Sequence, residues 1–543
     1  MTTDPYGAQP WLRLYARGQA NKRIEAAETI PAAWARQARE HRDTDLIHYF
    51  DRNLTYGAVD RASDALAHWL RLGGIGIGDR VFIALQNIPE FFISVVATWK
   101  AGALPVLGNP MYRRAELETL FEDCSPRLVI CHSGHVDAAE AIGQRALLVV
   151  VADETSGTSP SGARRGIDFD TILAVHAAAV TCAPCAQHDD IGLLLYTSGT
   201  TGIPKGAQLT HRNLAFAADL SRSWWGIDQS SRLLSIAPLF HITGFVLNLC
   251  LPILAGASVI LTRRFEPATT LAAIARHQPS WTIGAATAFT ALLNHEDAPA
   301  SALSSFRDIY SGGAPVPPML VDAFEARFGI RLKTAYGMTE TTAPTHAAPR
   351  GSVVPVDAVS GALAIGVPMN GVDARIVDDN GGLCPIGVPG ELIVRGPQIM
   401  LGYRNRPEET ADVLENGWMR TGDVATMDER GWFYLVDRKK DVIIASGFKV
   451  WPREVEDLLY AHEAVREAAV IGVPDQYRGE TVRAFVSLRR GAQASEAQLI
   501  AFCRERLAAY KVPRAISFLP ELPKTASGKI TRHMLRHSRE TEL

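Results

Sequence analysis

Between Asp51 and His132 the apolar positions change period repeatedly. Thr55 precedes a stretch in which Val59, Ala62, Leu66, Trp69 and Leu70 recur at three- and four-residue spacing. That spacing predicts an amphipathic helix capped by Thr55 and ended by Gly73-Gly74. Val81–Leu85 is a continuous apolar run of strand length. Pro89 opens a second helix carrying Phe92, Val95, Val96 and Trp99, and Leu104–Leu107 and Leu128–Cys131 predict two more strands. Strand–helix–strand repetition gives a largely parallel sheet with helices on its faces. Asp153–Asp168 is rich in Ser, Gly and Thr and reads as an exposed loop. It leads to a second unit of similar texture, at about 190 to 350.

From Gly361 to Gly431 glycine and proline are frequent and the apolar runs short, as in Ala374–Val377 and Glu391–Val394. This predicts a small β subdomain. After Asp437 the texture changes again. Pro452 opens a helix with Val455, Leu458 and Leu459 on one face, and Ala468–Val473 and Val482–Leu488 read as strands. Ser495 and Gln498 fit a capping box before Leu499, Phe502, Cys503 and Leu507. The last hundred residues or so therefore read as a compact α+β domain, without internal repeats.

Composition narrows the class. The chain has 543 residues, 47% of them apolar, and a formal net charge of −3. There is no basic excess of the kind nucleic-acid binding requires. Met1–Glu28 has no long apolar run, so no signal peptide is expected, and no segment is long enough to predict a membrane span. Seven cysteines in a chain this long give no disulfide framework, and Cys182 and Cys185 lack the second pair a zinc site needs. A reduced, cytoplasmic protein is the expectation.

The chemistry lies in islands. Tyr196-Thr-Ser-Gly-Thr-Thr-Gly-Ile-Pro-Lys-Gly206 follows an apolar strand with hydroxyls, glycines and a lysine. Small residues let backbone N–H groups approach a polyphosphate, and Lys205 adds charge. The residues after it, Ala207–Leu209, predict a second strand, so the loop is expected to be a flap between two strands. Ala237-Pro-Leu-Phe-His241-Ile-Thr-Gly244 sets a histidine among apolar residues. Ser311-Gly-Gly-Ala-Pro315 offers backbone to a flat base, and Tyr336-Gly-Met-Thr-Glu340 an aromatic face, a hydroxyl and a carboxylate suited to Mg²⁺. Thr421-Gly-Asp423 places an acid fit for a ribose diol, and Asp437-Arg438-Lys-Lys-Asp441 reads as a charged link. Pro523-Lys-Thr-Ala-Ser-Gly-Lys529-Ile presents one lysine on a small-residue loop, as stabilisation of a phosphoryl-type transition state requires. Taken singly, each also has an unremarkable reading as a turn, a core histidine or a surface charge.

In this order and spacing the islands resemble the adenylate-forming superfamily of acyl-CoA synthetases, luciferases and peptide-synthetase adenylation domains. The likeness runs from about Leu54 to His533. Asn109-Pro-Met-Tyr112 and Leu401-Gly-Tyr403 look most like bacterial medium- and long-chain fatty-acyl-CoA ligases. The resemblance implies an α/β fold with a large N-terminal domain at 1–436. Its subdomains, at about 30–190, 191–360 and 361–436, would be two helix-flanked sheets and a small β-barrel-like unit. A hinge at 437–441 would join it to a mobile C-terminal α+β domain at 442–543.

The resemblance also implies roles. Thr197, Ser198, Gly199, Thr200, Thr201, Gly202 and Lys205 would bind the β- and γ-phosphates, with Thr197 and Glu340 near Mg²⁺. Gly312, Gly313, Ala314 and Pro315, with Ala335, Tyr336, Gly337, Met338 and Thr339, would enclose adenine. Asp423 and Arg438 would hold the ribose. His241, Phe245, Ala285, Ala286, Gly313 and Gly337 would line the acyl site, and Lys529 would bridge carboxylate and α-phosphate. Asp437 would be the hinge, and Ser446, Gly447, Phe448 and Lys449 would line a tunnel for coenzyme A. The expected activity is ATP-dependent conversion of a fatty acid to acyl-AMP and then acyl-CoA. Alternatives are loading of an acyl-carrier protein and ligation of an aryl or branched acid. Peripheral membrane contact and a homodimer are compatible with the sequence. Gly284-Ala-Ala-Thr287 departs from the Gly-Val-Pro of many relatives, which opens the question of the acid. Ile444 replaces the lysine of beetle luciferases, which argues against light emission.

Overall fold

The computed structural model describes residues 4–16, 24, 28–135, 146–152, 166–180, 186–197, 204–358, 360–438, 441–445, 448–475, 479–525 and 529–536. Four sheets organise it. The first has eight strands. A parallel set formed by Ile191–Thr197, Leu104–Leu107, Arg80–Ala84, Leu128–His132, Leu147–Val151 and Ile167–Asp168 is extended by antiparallel Lys205–Thr210 and Gly402–Tyr403. The predicted helices are present. Thr55 caps Tyr56–Leu72 through a bond from Ala58 N–H, and Pro89–Ala101 follows the Arg80–Ala84 strand. Pro89–Ala101 is buried on nearly every side, so its apolar residues form no single stripe. Ile167 and Asp168, expected in the exposed loop, instead make the edge strand of this sheet. Residues 153–165 of that loop lie outside the described residues, as do Cys182 and Cys185.

The second sheet has nine strands, with a parallel centre formed by Leu332–Met338, Asp308–Ser311, Trp281–Gly284, Arg232–Ser235, Ser258–Leu261 and Asp45–Tyr49. The chain crosses between the two sheets more than once. Asp45–Thr55 belongs to the second sheet, and the Ile191–Thr210 hairpin to the first. The first unit therefore runs past the boundary expected at 190, because the hairpin finds its hydrogen-bond partner at Leu104–Leu107 rather than in the strands after it.

Asp373–Arg438 folds as a five-stranded antiparallel sheet, the small β unit the sequence predicts. The N-terminus straps across it. Tyr6 and Trp11 are buried, the Tyr6 hydroxyl donates to the Cys384 carbonyl at 2.9 Å, and Trp11 meets Phe433 edge-on. Nothing in the hydropathy of those first residues announces this docking. The last sheet, with Gly479–Leu488 at its centre and Val465–Asp475 beside it, has its own core of Val455, Leu459, Val470, Val486 and Leu499. Ser495 and Gln498 form the expected capping box. The five described cysteines are free and buried. Among the described residues no helix is long and apolar enough to cross a membrane.

Candidate active site

Thr197 and Lys205 face each other at the mouth of the antiparallel hairpin, so the phosphate loop joins strand to strand. Ser198, Gly199, Thr200, Thr201 and Gly202 lie outside the described residues. The Thr197 hydroxyl donates to the Lys205 carbonyl at 3.4 Å. The Lys205 ammonium lies 5.1 Å from the ring centroid of Tyr403, whose strand pairs with that of Lys205. The Tyr403 hydroxyl in turn donates to Glu340 Oε1 at 2.8 Å. Burial, then the Glu340 charge, hold the Tyr403 phenol far above its ordinary pKa, so it stays a donor. Tyr403 thus links two predicted residues distant in sequence, Lys205 and Glu340. The sequence shows it only as part of a motif and gives no sign of this task.

Gly312–Pro315 and Ala335–Thr339 follow or end neighbouring parallel strands, at the carboxyl edge where open α/β sheets bind ligands. A side chain at Gly337 would collide with the Ala343 carbonyl, which explains glycine there. Gly313 has φ +78° and open space where a Cβ would stand. The Tyr336 hydroxyl donates to Asp423 Oδ2 at 2.7 Å, and its ring lies edge-on to the buried His346. Asp423 pairs with Arg438 across the Trp418–Met427 and Phe433–Arg438 hairpin; the Arg438 side chain lies outside the described residues. One hairpin therefore carries the ribose candidate and, next to it, Asp437 opposite Val424.

His241 precedes a short helix that passes into a π-helical turn, Phe245–Cys250. Asn87, which sequence reasoning overlooked, braces the approach. Its amide donates to the Ser235 and Ala237 carbonyls and its oxygen accepts from Leu239 N–H at 2.8 Å. The only sequence signal is a polar Gln86-Asn87 pair between an apolar strand and an apolar helix. The His241 side chain is open to water in a cleft, yet protein surrounds it at longer range. Burial first, and the Lys529 charge second, push its pKa down to about 4, so it is neutral at pH 7. Phe245 corrects the expectation. It is fully buried against Trp99 and backs the wall instead of lining it, as do Leu239 and Phe240. Ala285 and Thr287 are half-buried at the end of strand Trp281–Gly284, while Ala286 is buried.

Lys529 stands within electrostatic reach of His241. Lys524 and Ile530 form a bridge, and Lys529 N–H donates to the Thr525 hydroxyl at 3.2 Å. The influence of its charge on His241 brings the histidine motif and the last motif near each other. Phe448 is half-exposed and stacks on Tyr510 with centroids 4.7 Å apart. Ser446, Gly447 and the Lys449 side chain lie outside the described residues.

The donor set fits Mg²⁺ carried by a polyphosphate. Among the described residues there is no cluster of three or more His, Cys, Asp or Glu that would cage a metal. Glu340 instead offers a carboxylate, 6% exposed and oriented by Tyr403, whose ring also meets the Lys205 ammonium. Mg²⁺ sites built on nucleotides take one or two carboxylates and leave the rest to phosphate and water.

Helix-flanked sheets with glycine-rich turns at the carboxyl edge of parallel strands, followed by a small C-terminal α+β unit, define the fold of an adenylate-forming enzyme. The AMP-binding enzyme family matches residues 34–404, and the AMP-binding enzyme C-terminal domain matches residues 454–529. A long-chain-fatty-acid–CoA ligase of Bacillus subtilis (strain 168) is 37% identical over 562 residues, covering 98% of each chain. A feruloyl-CoA synthase of Amycolatopsis sp is 36% identical over 505 residues, covering 92% of this chain and 97% of that one. The solved anthranilate CoA ligase AuaEII in complex with anthranoyl-AMP superposes with a TM-score of 0.85 at 29% identity, covering 95% and 98%. The chain belongs to the AMP-binding enzyme family and is an AMP-forming acyl-CoA ligase, with ATP, a small carboxylic acid and coenzyme A as substrates.

Proposed function

We propose that the acid is an apolar monocarboxylate, a medium- or long-chain fatty acid, and that Lys529 and His241 act at its carboxylate. The observation that carries this is the charge-free stretch Ile236–Phe245 around His241, within electrostatic reach of Lys529. A second charge on the substrate would need a buried partner, and the flanking Ile236–Phe240 and Ile242–Phe245 carry none. Identity to a long-chain-fatty-acid–CoA ligase along 98% of the chain supports the same class. A second reading, an aryl acid, is favoured by the small Ala285 and by relatives named for feruloyl and anthranilate substrates.

In the first step the carboxylate oxygen attacks the α-phosphorus, the bond to the β-phosphate oxygen breaks, and pyrophosphate leaves. Two anions meet, and the Lys529 ammonium offsets the charge between them. Mg²⁺, held by Glu340 and Thr197, would neutralise the phosphates. Lys205 and the loop hold the β- and γ-phosphates, Tyr336 and Gly312–Pro315 the adenine, and Asp423 with Arg438 the ribose. In the second step the domain after Asp437 turns, Lys529 withdraws, and the thiol of coenzyme A attacks the acyl carbon, releasing AMP. Ser446–Lys449 would then border the thiol path.

Pyrophosphate exchange with fatty, aryl and branched acids tests the reading. Apparent affinity should rise with chain length by ~0.8 kcal/mol per buried CH₂ until the pocket ends. A flat response across fatty acids with strong turnover of an aryl acid would select the second reading. ADP as stoichiometric product would overturn both.

A further inference from the structure

Lys529 must be delivered accurately to the cleft, and its N–H donates to the Thr525 hydroxyl at 3.2 Å. Three residues further on, Arg532 is heavily engaged. Its Nε and Nη2 donate to Glu456 Oε1 and Oε2 at 3.0 and 2.6 Å. Its Nη1 donates to Asp437 Oδ1 at 3.0 Å and to Asp441 Oδ2 at 3.3 Å. The guanidinium is thus clasped by three carboxylates, and one of them belongs to the residue read as the pivot. Asp437 is itself buried, and its other oxygen accepts from Arg453 N–H at 2.9 Å. Arg453 Nη1 donates across the pivot to the Leu435 carbonyl at 2.8 Å, while its Nε pairs with Asp457 Oδ2.

We propose that Arg532 is the positioning residue for Lys529, and that its bond to Asp437, with those of Arg453, latches the domain in the adenylating orientation. The inference rests on the domain alternation proposed above. Glu456 and Asp457 stand on helix Pro452–Tyr460 and travel with both arginines. A turn of the chain at Asp437 leaves Leu435 behind. The Arg453–Leu435 bond must then break, and the Asp437 carboxylate must be re-seated against Arg532 and the Arg453 N–H. A merely structural arginine would be satisfied by Glu456 and Asp441, both of which lie beyond the pivot. The contact with Asp437 adds nothing to the isolated domain and fixes where its loop points. Charged groups shielded from water make such a latch stiff and specific in direction.

The test uses the full chain and separates the two half-reactions. Pyrophosphate exchange reads adenylation. Conversion of supplied dodecanoyl-adenylate by coenzyme A reads thioester formation. Arg532→Lys keeps the charge but cannot span three carboxylates. Asp437→Asn is nearly isosteric and guards against a folding failure of the first variant. Each should lower adenylation about 10- to 100-fold, the effect of one lost charge-assisted hydrogen bond. Thioester formation from supplied adenylate should be unchanged or faster. Equal loss of both half-reactions in the two folded variants, or no loss of adenylation, overturns the latch. Lys529→Ala, run alongside, keeps the two ideas apart. If it separates the half-reactions while Arg532→Lys and Asp437→Asn do not, only the latch fails. If Lys529→Ala also affects both steps equally, the alternation itself is wrong.

Discussion

Replacing Tyr403 by phenylalanine removes one oxygen and should disturb one partner. The hydroxyl donates to Glu340 Oε1 at 2.8 Å, and Glu340 is 6% exposed, so water cannot readily replace it. A hydrogen bond to a charged group contributes about 1.5–3 kcal/mol, and loss on this scale is ~10- to 100-fold in an equilibrium or a rate. The ring itself lies 5.1 Å from the Lys205 ammonium and remains in Tyr403→Phe. Tyr403→Leu removes that contact as well, which adds ~0.5–2 kcal/mol. The first variant should therefore raise the Mg²⁺ concentration required for ATP binding, because the carboxylate has lost its orientation. The second should further weaken ATP binding at saturating Mg²⁺. Calorimetric titration of ATP at several Mg²⁺ concentrations, without acid or coenzyme A, reads both without turnover. If Tyr403→Phe matches the parent at every Mg²⁺ concentration, or if Leu and Phe behave alike, Tyr403 does not join the phosphate loop to Glu340.

Lys529→Ala should lower pyrophosphate exchange by ~10²–10³, the usual loss for one transition-state donor, with a KM for ATP nearly unchanged. A proportionate rise in KM would show a ground-state phosphate contact instead. His346 is fully buried and burial pushes its pKa down to about 3, so it is neutral when folded and takes a proton only on unfolding below pH ~6.5. Its contribution is whole above that value and declines as pH falls, by about 1.4 kcal/mol per unit. His346→Gln should thus lose part of its disadvantage between pH 7.5 and 5 in urea denaturation. A constant gap between variant and parent would mean that His346 titrates normally. Asn87→Ala should leave the Leu239 N–H unsatisfied and lower stability by roughly 1–3 kcal/mol, with a larger fall in kcat than in ATP affinity because the segment it braces ends at His241.

Much of this was legible in the chain because the signals are local. The helix from Tyr56, the capping box at Ser495 and the strands at Val81 and Val482 arise from periodicity and caps, which act within a few residues. The Ile191–Thr210 hairpin was legible for the same reason, since an apolar strand ran into small residues and another strand came next. Pairings between distant segments stayed hidden. No hydropathy pattern says that the Ile191–Thr210 hairpin joins the first sheet, or that Tyr6 and Trp11 dock on the small β unit. Phe245 looked like a pocket wall because an apolar residue near a site histidine fits a wall and a core equally well, and only packing against Trp99 decides between them. Tyr403, Asn87 and Arg532 carry no local mark of these contacts, since each is defined by the partners that folding brings to it. Sequence order determined which chemical groups this protein possesses. Tertiary structure decided which of them meet, because a hydrogen bond between residues hundreds of positions apart depends on the whole path of the chain between them.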